Sequence, residues 1–307
     1  PGTAVGLGYH GAEKAVGGQR VGRMTSLGER HREQIEYWNG VGGQKWLAAH
    51  EHTDAVLAPV STALLDKASP RPGISVLEIG CGCGTTTIDL AQAVGASGKV
   101  LAVDVSEPLL GSARTRLAAY PQVEVLRADA ATYPFSPFAD LAVSRFGVMF
   151  FGDPEAAFAN IRRALKKDAR LVFACWREFD ANPWMKVPLV AAYRAGLPPV
   201  PPPEPTDPGP FSFANPERVT HILTAAGFET PIFSPVDFTL DLAAGKGLAS
   251  AVSHSLSIGA TSYALKGHSE EMVAIVRDAV EAALQPHSDG RSVKLGAAIW
   301  IVESRLA

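Results

Sequence analysis

Residues Val76 to Thr87 read Val-Leu-Glu-Ile-Gly-Cys-Gly-Cys-Gly-Thr-Thr-Thr, a run whose types and spacing suit the cradling of a ligand. Gly80, Gly82 and Gly84 permit positive φ and leave room for a ligand against the backbone. The apolar residues before them predict a buried strand, and Ile88, Leu90, Ala91 and Val94 continue at helical spacing. A helix that starts after such a turn aims free N–H groups at whatever sits there. A dinucleotide fingerprint, G-x-G-x-x-G, is not met: counted from Gly80, the sixth position holds Thr85. Cys81 and Cys83 are too few and wrongly spaced for a zinc site and read as small residues filling the loop. His50 and His52 stand two apart, so on a helix they share no face and make a poor metal pair. His50, His52, His221, His254 and His268 could each supply a base, but neither spacing nor motif singles one out, and a solvated or capping role suits each.

Three further strand-like segments end in polar residues. Val100-Leu-Ala-Val-Asp104 closes on an acid twenty residues past Gly84, and Leu126-Arg-Ala-Asp-Ala130 and Asp140-Leu-Ala-Val-Ser144 follow. With Glu78-x-Gly80-x-Gly82-x-Gly84 at its head, this series resembles the class I S-adenosylmethionine-dependent methyltransferases. The resemblance implies S-adenosylmethionine as cofactor and S-adenosylhomocysteine as its product. It also implies a set of roles. Gly80, Gly82 and Gly84, with Cys81 among them, cradle the methionine and ribose part, and Glu78 organises the loop or its bound water. Asp104, with Val105 beside it, accepts from the ribose hydroxyls, and Asp129 from the adenine amino group, with Ala130 nearby. Ser144, Arg145 and Phe146 follow the fourth strand, where the family lines the methyl-transfer centre; for Arg145 a surface salt bridge is an equal alternative. Phe146 to Phe151, then Asp153-Pro154, a helix and a strand ending in Trp176 resemble the small-molecule branch, as in quinone-biosynthesis enzymes. Ser144-Arg-Phe stands where a nucleic-acid methylase would carry an Asn/Asp-Pro-Pro-Tyr signature.

These residues need a scaffold, and the pattern around them provides one. Strands are expected near 74–79, 99–103, 123–126, 140–143 and 170–176, with helices near 85–94, 107–119 and 154–166. Alternation of this kind predicts right-handed βαβ units and a mostly parallel sheet, with ligands beyond the carboxyl ends of its strands. Gly80, Asp104, Asp129 and Ser144 all fall at those ends. After Asn215-Pro216 a helix carries Val219, Ile222, Leu223 and Ala226, followed by strands near 228–240 and 296–302. The expected fold is α/β, a Rossmann-like, doubly wound, mostly parallel seven-stranded sheet. The resemblance makes its last strand antiparallel and adds N-terminal helices and helical cap insertions.

The domain plan has six parts. Residues 1–23, glycine-rich and aperiodic before Met24, are expected to be a disordered or non-native extension. Residues 24–68 form two or three helices, in which Tyr37, Trp38 and Trp46 either cover the cleft or anchor the helices, with core the better reading for Trp38. Residues 69–180 are the cofactor-binding core. Residues 181–210 form a proline-rich lid or linker; eight of the thirteen residues from 198 to 210 are proline. Residues 211–240 and 291–307 complete the sheet. Residues 241–290 are a helical cap, with Met272, Ile275, Val276, Ala279 and Ala283 as one apolar face, shaping an acceptor pocket, a dimer face or the bare surface.

The 307 residues are 47% hydrophobic with a net charge of −3, enough for a full core and without the basic excess of a nucleic-acid binder. No apolar run reaches membrane-span length and no secretory leader is legible, and three cysteines suit a reducing, cytoplasmic setting. The activity expected is methyl transfer to a small, partly apolar acceptor through O, C or N, with a homodimer possible. A C-methyltransferase acting on an electron-rich ring would need no dedicated base. The alternatives are a non-catalytic S-adenosylmethionine-binding scaffold and a nicotinamide oxidoreductase, the latter opposed by Thr85.

Overall fold

A computed structural model describes residues 26–201 and 203–307, so the expected extension at 1–23 and Met24 lie outside the described residues. Three helices open the described chain: α1 (Leu27–Asn39), α2 (Val41–Val56) and α3 (Ala58–Ala68). Then come β1 (Ser75–Ile79), α4 (Thr85–Val94), β2 (Lys99–Asp104), α5 (Glu107–Leu117), β3 (Val123–Arg127), β4 (Ala139–Arg145), α6 (Pro154–Ile161) and β5 (Leu165–Trp176). The remainder is α7 (Pro183–Arg194), α8 (Pro216–Ala225), β6 (Ile232–Asp241), α9 (Leu248–Ser257), α10 (Gly259–Ala264), α11 (Glu270–Leu284) and β7 (Lys294–Arg305).

Local chemistry explains the starts of several helices. The Ser26 hydroxyl accepts from Glu29 N while the Glu29 carboxylate accepts from Ser26 N, a capping box that begins α1. Asp153 caps α6 and Asn215 caps α8, each followed by a proline whose missing N–H costs nothing at the first helical position. Ser269 caps α11 by accepting from Met272 N.

All seven strands join one sheet in the order β3-β2-β1-β4-β5-β7-β6. The first five strands pair in parallel, and β7 runs antiparallel to both β5 and β6, as expected of a Rossmann-like sheet of this kind. The chain winds outward from β1 to β3 and then returns to β4, so a crevice opens between the carboxyl ends of β1 and β4. Central strands are buried on both faces: Leu141 to Val143 and Leu171 to Cys175 are almost without exposure.

The elements differ from expectation in four places. The helix expected at 154–166 stops at Ile161, and a 3₁₀ turn carries Arg162 to Ala164 into a strand that begins at Leu165. A register shift between Ala139 and Leu141, with Asp168 at φ +64, lets that early segment pair. β7 is longer than expected because it is hydrogen-bonded on both sides. Phe228 makes only an isolated bridge to Leu306, so β6 starts at Ile232. Most consequentially, residues 183–194, expected as part of a proline-rich arm, form α7. Its buried face of Trp184, Met185, Pro188, Leu189 and Ala192 packs against α10, α11 and β7.

Candidate functional site

The glycine loop leaves β1 and enters α4 with Gly80, Gly82 and Gly84 all at positive φ. A Cβ on Gly80 would stand 2.9 Å from Gly147 Cα, so the loops after β1 and β4 touch backbone to backbone. Gly82, at φ +55, faces open space: a Cβ there would meet nothing within 4 Å. Gly84 serves packing instead, since a Cβ would stand 3.0 Å from Leu117. Its carbonyl accepts from Ile88 N, which starts α4.

Asp104, at the end of β2, holds this loop. One carboxylate oxygen accepts from Gly82 N and the other from Ser106 N, each at 2.8 Å. Burial raises its pKa, opposed by those two amides and that of Val105. These amides do not use all of the carboxylate's roughly four lone-pair sites, so a ligand hydroxyl could still bond to it. The Val105 carbonyl accepts from the Asn39 side chain of α1 at 2.9 Å.

Asp129, beyond β3, accepts from Ala131 N and the Thr132 hydroxyl, both at 2.9 Å. Its outer oxygen also pairs with His31 Nε2 of α1 at 2.8 Å. Burial alone would raise its pKa, but the His31, Ala131 and Thr132 bonds outweigh this and hold the carboxyl below the usual range. The Asp129 bond raises the His31 pKa against its burial. Sequence reading did not single out His31, because nothing local marks a histidine that meets an acid 98 residues away. Ala130 is buried beside Asp129, and its carbonyl accepts from Asn160.

Three expected site residues stand behind the crevice rather than in it. Glu78 is 1% exposed and accepts from the Thr87 hydroxyl at 2.5 Å, which ties the end of β1 to α4. Burial pushes its pKa up to about 7. The Ser144 hydroxyl is fully buried and donates to the Ile79 carbonyl at 2.8 Å. Cys81 packs its side chain with Ala102 and Leu110 and offers the crevice only backbone. All three cysteines are buried and unpaired.

Arg145 belongs to a network joining the N-terminal helices to the glycine loop. It donates to Asp54 of α2 at 2.7 Å and to the Ser61 hydroxyl of α3 at 2.9 Å. Thr85, the first residue of α4, also donates to Asp54. Arg116 of α5 donates to Thr85 and to the Cys83 carbonyl. The Arg145–Asp54 pair is only 12% and 13% exposed, so the surface salt bridge weighed from sequence is in fact a largely buried one. Asp54 and Arg116 carry no motif and were not legible beforehand.

Phe146 holds φ +70, a conformation that costs a side-chain-bearing residue energy and persists where its surroundings impose it. Its ring lies flat on Trp176 at 4.3 Å, and Trp176 meets Trp184 of α7 at 5.1 Å. Trp38 packs edge-on against both Trp46 and Phe150, so it anchors α1 and α2 at the rim of the β4 end. Tyr37 is exposed.

Among the described residues, no cluster of three or more His, Cys, Asp or Glu is placed to hold a metal ion, and no helix is long and apolar enough to cross a membrane. The open face above Gly82 and the remaining acceptor capacity of Asp104 fit the diol and chain of a nucleoside ligand.

Residues 76–168 match the family model described as a methyltransferase domain. Nocamycin O-methyltransferase from Saccharothrix syringae is 32% identical over 117 residues, which cover 37% of this chain and 41% of that protein. Demethylmenaquinone methyltransferase from Lactococcus lactis is 35% identical over 103 residues, covering 33% of this chain and 41% of that protein. The chain thus spans less than half the length of these curated relatives. The solved structure of Haemonchus contortus phosphoethanolamine N-methyltransferase 2 with S-adenosyl-L-methionine shares the fold, with a TM-score of 0.55 and 15% identity. That likeness covers 89% of this chain and 60% of the solved one.

Proposed function

We propose, from the premise that residues 76–168 belong to the class I S-adenosylmethionine-dependent methyltransferases, that the chain moves a methyl group from S-adenosylmethionine to a small, partly apolar acceptor. The observation that carries this reading is the Asp104–Gly82 pair. A carboxylate at the end of β2 fixes an otherwise open glycine at the end of β1, beside a helix N-terminus. Gly80, Gly82, Asp104 and Val105 hold the cofactor. Glu78, Ser144 and Cys81 keep the loop in shape from behind, and Asp129 offers adenine whatever capacity its bond to His31 leaves free.

The cofactor supplies a methyl group already activated on a sulfonium. The residues of this chain therefore orient, enclose and exclude water more than they react. Charge is lost at sulfur as the methyl leaves, which makes the aromatic wall of Phe146, Trp176 and Trp184 compatible with the reaction. The test is transfer of isotopically labelled methyl from S-adenosylmethionine to a panel of phenols, quinols, amines and fatty acids, with S-adenosylhomocysteine quantified alongside. Labelled product from at least one class, matched by S-adenosylhomocysteine, is expected. Cofactor binding without turnover on any class would favour the scaffold alternative, and NADH binding without S-adenosylhomocysteine binding would overturn the reading.

A further inference from the structure

A second site lies on the far side of the aromatic wall. Between α7 and the α9–α10 pair is a cavity of about 10 Å³, room for one water-sized group. Trp184, Met185, Pro188 and Ile258 give it apolar sides, and none of the residues lining it is charged. His254 of α9 also lines it, is 6% exposed, and has an Nδ1 that is buried with no hydrogen-bond partner. Buried polar atoms of this kind are rare in folded proteins, because desolvation without a partner is costly.

Of the other polar residues at the cavity, Thr261 also lines it, and two more are already occupied. The Ser255 hydroxyl donates to the Ala251 carbonyl, and the Trp184 indole N–H donates to Asn182. His52 of α2 lies over the His254 ring at 4.7 Å. Its Nε2 is 2.8 Å from the Leu242 carbonyl, which can only accept, so that nitrogen carries the proton and the ring is fixed. Burial, with His52 beside it, pushes the His254 pKa down to about 4, so its ring is neutral near pH 7. Of its two nitrogens one donates and one accepts, and a hydroxyl can pair with Nδ1 in either tautomer.

We propose that this cavity seats the hydroxyl of a neutral, largely apolar acceptor, with His254 as the residue that recognises it. The apolar, uncharged walls exclude phosphorylated or ionised ligands, whose charge would be buried without a partner. Trp184 links the cavity through Trp176 to Phe146 at the end of β4, so a ligand anchored here has its body along the aromatic wall. The body is larger than the cavity, so binding needs a wall to give; α10 is the shortest helix lining it, six residues long and starting at Gly259, at φ +81. That the ligand is the methyl acceptor rests on the methyl-transfer reading above; the recognition of a hydroxyl does not.

The test titrates p-cresol and its isostere p-xylene into the full chain by ligand-observed NMR, with and without S-adenosylhomocysteine. Wild type is expected to prefer p-cresol by about tenfold, the scale of one buried hydrogen bond. H254F, which keeps a ring and removes both nitrogens, should reduce that preference to about twofold or less and leave S-adenosylhomocysteine affinity unchanged. H254Q, which restores a polar partner, should recover part of it. Equal binding of the two probes by wild type, which needs no variant to fold, would overturn the proposal, as would an undiminished preference in folded H254F. Binding of neither probe would overturn it as well, leaving the cavity to water alone. Loss of S-adenosylhomocysteine binding in wild type would instead sink the methyl-transfer reading and leave the hydroxyl preference to be judged by itself.

Discussion

Glu78 was legible as the acid that opens the glycine motif, but its job is visible only in three dimensions. It sits beneath the loop and joins β1 to α4 through Thr87, where burial pushes its pKa from near 4.5 up to about 7. The folded protein then holds this proton more tightly than the unfolded chain does. Its contribution to stability is greatest below about pH 4.5 and is lost as pH rises through about 7. Glu78→Gln keeps an oxygen for Thr87 and removes the titration. Chemical denaturation of both proteins from pH 4.5 to 8 should show the variant gaining on wild type by up to about 1.4 kcal/mol per pH unit in that window. Parallel pH profiles would show that Glu78 stays ionised in the fold. His254 marks the limit of reading at this scale. The sequence offers five candidate histidines, and only packing separates the buried, unpartnered one from the exposed His221 and His268.

Among the elements, α1 is the one whose placement bears most on the cofactor. It stretches from Asp129 beyond β3, through His31, to Val105 beyond β2, through Asn39, and Arg30 pairs with Asp207 of the proline-rich arm at 3.1 Å. It therefore covers the crevice at the ends of β2 and β3. The His31–Asp129 tie has a defined pH window. His31 has a raised pKa, so its share is full below about 6.5 and is lost as pH rises through the raised value. Asp129 has a lowered pKa, so its share is present above about 3.8 and lost as pH falls through the lowered value. Hydrogen exchange across residues 27–39, corrected for intrinsic rates, should be slowest near pH 5 to 6 and rise toward pH 9. His31→Ala should exchange fast at every pH, and a wild-type profile with no rise toward pH 9 would show that α1 is held without this pair. Apolar periodicity revealed that helices stood here but not where they docked. α7 was missed outright, because Pro188 breaks the helical pattern and the run of prolines beyond it masks the apolar face that begins at Trp184.

At the scale of the whole molecule, the alternation of strands and helices, the mostly parallel sheet and the meeting of strand ends in one crevice were legible, because period and motif order depend on short stretches of chain. Contacts between distant segments were not: Asp54 with Arg145, His31 with Asp129 and His52 with His254 join residues whose spacing carries no pattern. The central claim is that the open face of Gly82 is where S-adenosylmethionine lies. Isothermal titration of S-adenosylhomocysteine into wild type and Gly82→Val, each checked by a melting curve, tests it most directly. A Cβ there meets no protein atom within 4 Å, and a side chain at its positive φ costs about 1–2 kcal/mol, so the variant should remain folded. Saturable binding to wild type, weakened more than about a hundredfold in folded Gly82→Val, is the result predicted, equivalent to about 2.7 kcal/mol. Equal binding to both proteins, or none to wild type, would contradict it.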